Sequence, residues 1–319
     1  MITSLLLVAY AAVLAVLVAP ALRRALWTER VPSWGVAAWL SVSWSLVLAV
    51  AIAVVSLCLH VPGSFEELYR ALALCRSALT GAAGFPAAVL VGFSLAGTLL
   101  GFVRLAYVLG RQWWGVFRTR CEHAHALRLL GATERGHGIV VLNDDRPVAY
   151  CVPGRNGRIV FTEGALARLS PSQYQAVLAH ERAHLRGRHA VLVALGAVPA
   201  RLLPRLPAAR QAADAVGRLV EFLADDAASR RTDPLTLAEA LLELGAPAST
   251  SPARTLSAAG TATSARVTRL LHVAPNAHRA GNGVPLLVAI GGVVMPFVLA
   301  AISTEFGSGY ACLFQAAMC

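Results

Sequence analysis

Two histidines four residues apart, with a glutamate after the first, form the segment best equipped for chemistry: His180-Glu181-Arg182-Ala183-His184. Residues four apart share one face of a helix, so both imidazoles can be aimed at one point, as a tetrahedral zinc requires. Glu181 sits beside the open side of such an ion. There its carboxylate can take a proton from metal-bound water and pass it to a leaving amine. A catalytic zinc wants a third protein ligand and keeps a fourth position for water. Downstream, Glu221-Phe222-Leu223-Ala224-Asp225 offers a second pair four apart. Glu221 is the expected third ligand. Asp225 is the expected acceptor that fixes the tautomer of a ligand imidazole. Taken alone, these two acids would read as a solvated helix face. The histidine motif and the flanking Leu219, Val220 and Leu223 favour the ligand reading. The expected cofactor is Zn2+.

The elements that must hold these groups are legible around them. Ser170 is a good N-cap, Pro171 suits a first helical position, and Gln173 completes a capping box. These predict a helix running to about Arg186, with Gly187 as its stop. Before it lie three strand-like runs, Ile139–Leu142, Val148–Val152 and Ile159–Thr162, separated by turn-rich Asn143–Pro147 and Pro153–Gly157. After it come Ala190–Val198, apolar but too short to span a bilayer, a helix over Ala208–Ser229 and a shorter one over Pro234–Leu244. Gly245–Ser264 reads as a mobile loop, and Ala265–His272 as a last helix. Cys121, His123 and His125 lie close enough in sequence to bind a metal, but an exposed helix is the better reading. His60, His137, His272 and His278 have no partner pattern. Tyr150 is expected to pack.

Composition sets the surroundings. The 319 residues are 57% hydrophobic and 14% charged, against about 25% charged in ordinary soluble domains. All 28 basic residues are arginine, which excludes lysine Schiff-base chemistry. The net charge of +11 fits arginine held on a cytoplasmic face rather than nucleic-acid binding. Four apolar stretches are long enough to span: Ile2–Leu22, Trp34–Leu59, Gly84–Val103 and Val284–Ile302. Basic and neutral loops alternate. Arg104–Gly283 carries 23 arginines against 13 acids, while the tail after the fourth stretch has Glu305 and no arginine. The positive-inside rule then places both termini outside and the central segment in the cytoplasm. The expected fold is a mainly α membrane protein with four transmembrane helices and a cytoplasmic α+β zincin-like domain between helices three and four. Its divisions are residues 1–103, 104–282, 283–303 and a short outer tail, 304–319. Cys58, Cys75, Cys312 and Cys319 fall outside, which suits two disulfides with three pairings open. Cys121 and Cys151 fall inside.

The His-Glu-x-x-His helix followed by a Glu-x-x-x-Asp helix resembles the membrane zinc peptidases of the gluzincin type. Within that group, the four-span layout resembles the BlaR/MecR-type signal-transducing peptidases over about Ile2 to Ile302. Arg158–His189 matches well, and Arg266 and Arg269 before Leu270-Leu271 also fit. The resemblance implies that His180, His184 and Glu221 bind zinc and that Glu181 is the base. Antibiotic sensors of this kind carry a penicillin-binding domain after the last span. Here residues 303–319 hold no Ser-x-x-Lys, so covalent β-lactam sensing is not expected. The related heat-shock membrane proteases share the motif in a different layout.

These readings converge on an endopeptidase acting on a cytoplasmic or membrane-adjacent protein. By analogy it serves regulated proteolysis of a transcriptional repressor. Membrane-protein quality control is the alternative enzyme role. A non-proteolytic zinc-containing transducer is the alternative of another class. The expected partners are a protein or peptide substrate and the lipid bilayer, without direct contact to nucleic acid. Thiol labelling checks the orientation. A membrane-impermeant reagent on intact cells should leave Cys121 and Cys151 unlabelled, and labelling of either would reverse the inward-facing domain.

Overall fold

The computed structural model describes residues 2–59, 138–154, 157–245 and 256–272, with 73, 96–97, 99–101, 103–108, 110–111, 133–134, 290–292 and 294–301. The chain is mostly helical with one small sheet. Helix α1 (Ile2–Val13) continues through a π-helical turn, Leu14–Val18, into α2 (Ala19–Arg24). A short α3 (Trp27–Arg30) leads to α4 (Pro32–Leu59). Strands β1 (Thr133–Glu134), β2 (Ile139–Leu142), β3 (Ala149–Val152) and β4 (Arg158–Thr162) follow. Then come α5 (Glu163–Arg168), α6 (Pro171–Arg186), α7 (His189–Leu202), α8 (Pro207–Ser229), α9 (Pro234–Gly245) and α10 (Leu256–His272).

Two helices, Thr3–Arg24 and Pro32–Val54, are long and apolar enough to cross a membrane by length and composition. The stretches expected as spans three and four lie largely outside the described residues, which include helical pieces at Leu99–Val108 and Ile290–Ala301. Gly245–Ser264 departs from its expectation. Its second half is helix, because α10 starts at Leu256 and not at Ala265. The alanines of Leu256–Ala265 favour helix, the best of all residues in a helix interior. Residues 246–255 lie outside the described residues, as do Cys75, Cys121, His123, His125, His137, His278, Cys312, Cys319 and the side chain of Cys58.

The sheet order is β1-β2-β4-β3. β2 pairs parallel with β4, Val140 opposite Val160, while β3 runs antiparallel to β4, Tyr150 opposite Val160. All four β2 residues are buried, as an unbroken Ile-Val-Val-Leu run suits a central strand covered on both faces. Among the described residues, nothing pairs with the outer edge of β3. Ile139, Ile159 and Phe161 pack on Val177 and Leu178 of α6, which fixes α6 across the sheet.

α8 carries the fold. Its residues Ala208, Ala212, Ala215, Val216, Leu219, Val220 and Phe222 recur every three or four positions. They form one core with Leu14 and Leu22 of the first apolar helix and with Val36, Trp39, Val42 and Leu46 of α4. The alanines let the backbones approach closely, and Gly35 of α4 leaves room for Leu219. α7 lies alongside: Gly196 packs on Val216, and Trp44 Nε1 of α4 donates to Leu195 O at 3.2 Å. Ala190–Val198, apolar but too short to span, is divided between two surroundings. Gly196 and Val198 are buried, whereas Val191, Val193 and Leu195 are exposed.

Gly35 and Gly217 give opposite expectations. A Cβ at Gly35 would lie 2.7 Å from Thr28 O and 2.8 Å from Leu219 Cδ1, while one at Gly217 meets nothing within 4 Å among the described residues. Gly35→Ala should therefore destabilise by about 1–3 kcal/mol through overpacking. Gly217→Ala should be neutral or stabilise by up to about 1 kcal/mol through helix propensity. Thermal unfolding in detergent or nanodiscs compares them, and equal effects would contradict the packing of α4 on α8.

Candidate metal centre

The helix bearing the histidines starts as its sequence dictates. Ser170 Oγ accepts from Gln173 N, and Ser170 N donates to Gln173 Oε1 at 2.9 Å, with Pro171 in the first turn. α6 ends at Arg186, but Gly187 is right-handed, not the left-handed cap expected of a glycine. The left-handed position belongs to Arg188, with φ 48°, a conformation that costs an L-residue about 1–2 kcal/mol. Gly187 is needed for another reason. The ring of His189 occupies the space its Cβ would fill.

α6 and α8 cross so that their i, i+4 pairs meet. His180 Nε2 and His184 Nε2 are 3.0 Å apart. Glu221 Oε2 lies 3.6 Å from His180 Nε2, and Oε1 lies 3.6 Å from His184 Nε2. Ligand atoms of these three residues all fall within 4.8 Å of one another. Donors at zinc-ligand bond lengths and tetrahedral angles sit roughly 3.3 Å apart, so observed separations of 3.0 to 3.6 Å fit such an ion. Glu181 is buried on the same helix. Asp225 Oδ1 is 3.0 Å from His180 Nδ1, on the ring edge turned away from Glu221. All five expected site residues thus fall on two adjoining helices.

Two further groups complete the cluster, and spacing gave no role to either. Arg266 of α10, noted in the sequence only for its likeness to a familiar segment, reaches back across 41 positions. Its Nε and Nη2 clamp Asp225 at 2.9 and 2.6 Å, and its Nη1 lies 3.2 Å from Glu221 Oε2. One turn on, Arg269 holds Asp226 at 2.6 Å and donates to Glu29 O at 3.0 Å, which fastens α10 to α3. His189, the first residue of α7, places Nδ1 3.1 Å from His184 Nδ1.

The electrostatics follow from burial set against these contacts. Burial opposes a charge on His180, but the Asp225 and Glu221 carboxylates outweigh it and raise its pKa to about 9. Burial also opposes ionisation of Glu221. The facing His180 and His184 rings and the charge of Arg266 nevertheless hold it well below the carboxylate range. Asp225 is likewise depressed against its own burial by Arg266 and His180. Burial, reinforced by His184, pushes His189 down to about 4, leaving it neutral near pH 7. On β3, burial and the adjacent Glu181 push the Cys151 thiol up to about 12.

Residues 118–215 match the sequence model of Peptidase family M48. That stretch holds His180, Glu181, His184 and His189 and ends before Glu221, so it supports a metallopeptidase of that family. No curated protein and no solved structure matches the chain.

Metal binding at this centre is expected to be linked to pH. A ligand imidazole must be neutral, and His180 holds its proton until about pH 9. A metal must displace that proton below this value. Apparent zinc affinity should therefore rise about tenfold per pH unit from pH 7 towards 9 and then level off. Chelator competition across this range measures it, and a flat profile would mean that His180 does not compete with the metal.

Proposed function

We propose that this chain is a membrane-embedded zinc metalloendopeptidase in which His180, His184 and Glu221 hold Zn2+ and Glu181 is the general base. The observation that carries the reading is the near-tetrahedral spacing of three donors with Glu181 on the same helix. When bound, zinc supplies Lewis acidity toward a water molecule and a peptide carbonyl. Glu181 takes a proton from the attacking water and delivers it to the departing amide nitrogen. Asp225 accepts from His180 Nδ1 and leaves Nε2, which Arg266 Nη2 approaches to 3.3 Å, to face the metal. Arg266 holds Asp225 and Glu221 in place.

The peptide is expected to lie extended along the outer edge of β3. Val148 O accepts from Thr162 N at 3.0 Å. Alternation in an antiparallel pair then turns the main-chain groups of Ala149 and Cys151 outward, where they can bind a substrate strand. Cys151 lies beside Glu181, so that strand would pass the base.

The position of the centre favours substrates close to the bilayer. Leu219, two residues before Glu221, packs at Gly35 near the start of α4, and Arg218 pairs with Glu29 at 3.3 Å. Four spans with an inward-facing catalytic region agree with the arginine distribution. In this reading the chain is of the BlaR/MecR type and cleaves a repressor or another protein at the membrane surface. The juxtamembrane site also favours the second reading, quality-control cleavage of membrane proteins. A non-proteolytic transducer would have no use for the buried Glu181.

Comparing peptide ends in cells carrying the natural protein and Glu181→Gln tests the activity. Glu181→Gln should abolish cleavage and retain zinc, whereas His180→Ala and Glu221→Ala should lose it. Asp225→Ala should weaken zinc binding about 10–100-fold. Full cleavage by Glu181→Gln would remove the assignment.

A further inference from the structure

We propose that His189 is a positioning residue of this centre, accepting the proton carried on His184 Nδ1 and so fixing the ring in which His184 offers Nε2 to the metal. The inference rests on the zinc-site reading above and adds a residue to it. A neutral imidazole has one N–H and one lone pair. His184 Nε2 points at His180 Nε2, 3.0 Å away, and at Glu221 Oε1, 3.6 Å away, so its lone pair belongs to the metal side. Its proton is then on Nδ1 and needs an acceptor. His180 has one in Asp225. For His184 the group in place is His189 Nδ1, at 3.1 Å. His189 must therefore keep its own proton on Nε2. The two rings meet edge to face, with centroids 4.9 Å apart and planes at 83°.

The turn between α6 and α7 is shaped around this contact. Gly187 leaves the room that the His189 ring fills. Arg188 adopts the left-handed conformation and stands at the N-cap of α7 without a side-chain cap. A capping serine, threonine or asparagine is the usual choice at such a position. Two local preferences are thus given up where His189 is turned inward, and His189 is only 6% exposed. Strain retained beside a site points to a functional constraint. The two ligand histidines consequently have unlike supports. An ionised carboxylate clamped by Arg266 backs His180, while a neutral ring backs His184, orienting it without adding charge.

The test uses the full-length protein in detergent or nanodiscs, with zinc affinity read by chelator competition and unfolding temperature read on the metal-free forms. His189→Leu fills the space but cannot accept, and should bind zinc about 10–100-fold more weakly. His189→Asn can present Oδ1 to His184 Nδ1 and should recover most of that loss at a similar unfolding temperature. If leucine is not accommodated, His189→Ala replaces it in the comparison with asparagine. Gly187→Ala, which displaces the His189 ring, should weaken zinc binding and add little on top of His189→Leu. Unchanged affinity in His189→Leu, or asparagine no better than leucine at equal stability, overturns the role of His189. Glu221→Ala is measured alongside. Zinc retained in that variant overturns the metal site itself, whereas zinc lost there and unaffected in His189→Leu overturns this inference alone.

Discussion

A carboxylate held out of water governs this structure. The side chain of Asp225 is 1% exposed, and an ion so placed is tolerated only when it is paired and hydrogen-bonded. Arg266 clamps it from α10 with two nitrogens, and His180 meets it from α6. Two helices distant in sequence must therefore converge on one point of α8. Removing either partner would leave a buried charge uncompensated, a loss of about 3–5 kcal/mol in comparable cases. The same convergence aims the His180 ring, since satisfying Nδ1 with Asp225 directs Nε2 at Glu221. Stability and chemistry thus share one set of contacts.

α8 transmits this constraint outward because its two faces do different things. One face carries Glu221 and Asp225 to the histidines. The other, built of alanines with Val216, Leu219 and Phe222, is packed against the N-terminal apolar helices. A shift of α4 relative to α2 would bear on Leu219, two residues from Glu221. A shift of the turn at Glu29 would bear on Arg269, three residues from Arg266. The groups of the candidate metal centre are therefore joined to the apolar helices through packed side chains.

The sequence was most legible where local rules act alone. The Ser170 capping box, the strands ending at Leu142, Val152 and Thr162, and the two i, i+4 pairs all follow from short-range physics, and their elements stand within a residue or so of expectation. Contacts that cross the chain were not legible. Arg266 gave no spacing signal because its partners lie 41 and 86 positions away. His189 was visible only as the end of the stretch Arg158–His189, since its proposed role depends on the left-handed turn at Arg188. α10 begins earlier than its apolar pattern indicated, because Leu256–Ala265 is made mostly of small residues with little apolar periodicity. The seat of α8 on the N-terminal helices was hidden for a similar reason, as an alanine-rich face does not announce its partner.

The ligands that surround a bound metal decide between this centre and any other. Zinc K-edge absorption of the purified full-length protein, loaded with one equivalent of zinc, reads that shell directly. Two imidazole nitrogens with carboxylate and water oxygens, all at about 2.0–2.2 Å, are predicted for His180, His184 and Glu221 with an open fourth position. The imidazole scattering should be lost or reduced in His180→Ala. A sulfur shell at about 2.3 Å, or a spectrum unchanged by His180→Ala, would place the metal elsewhere and contradict the central claim.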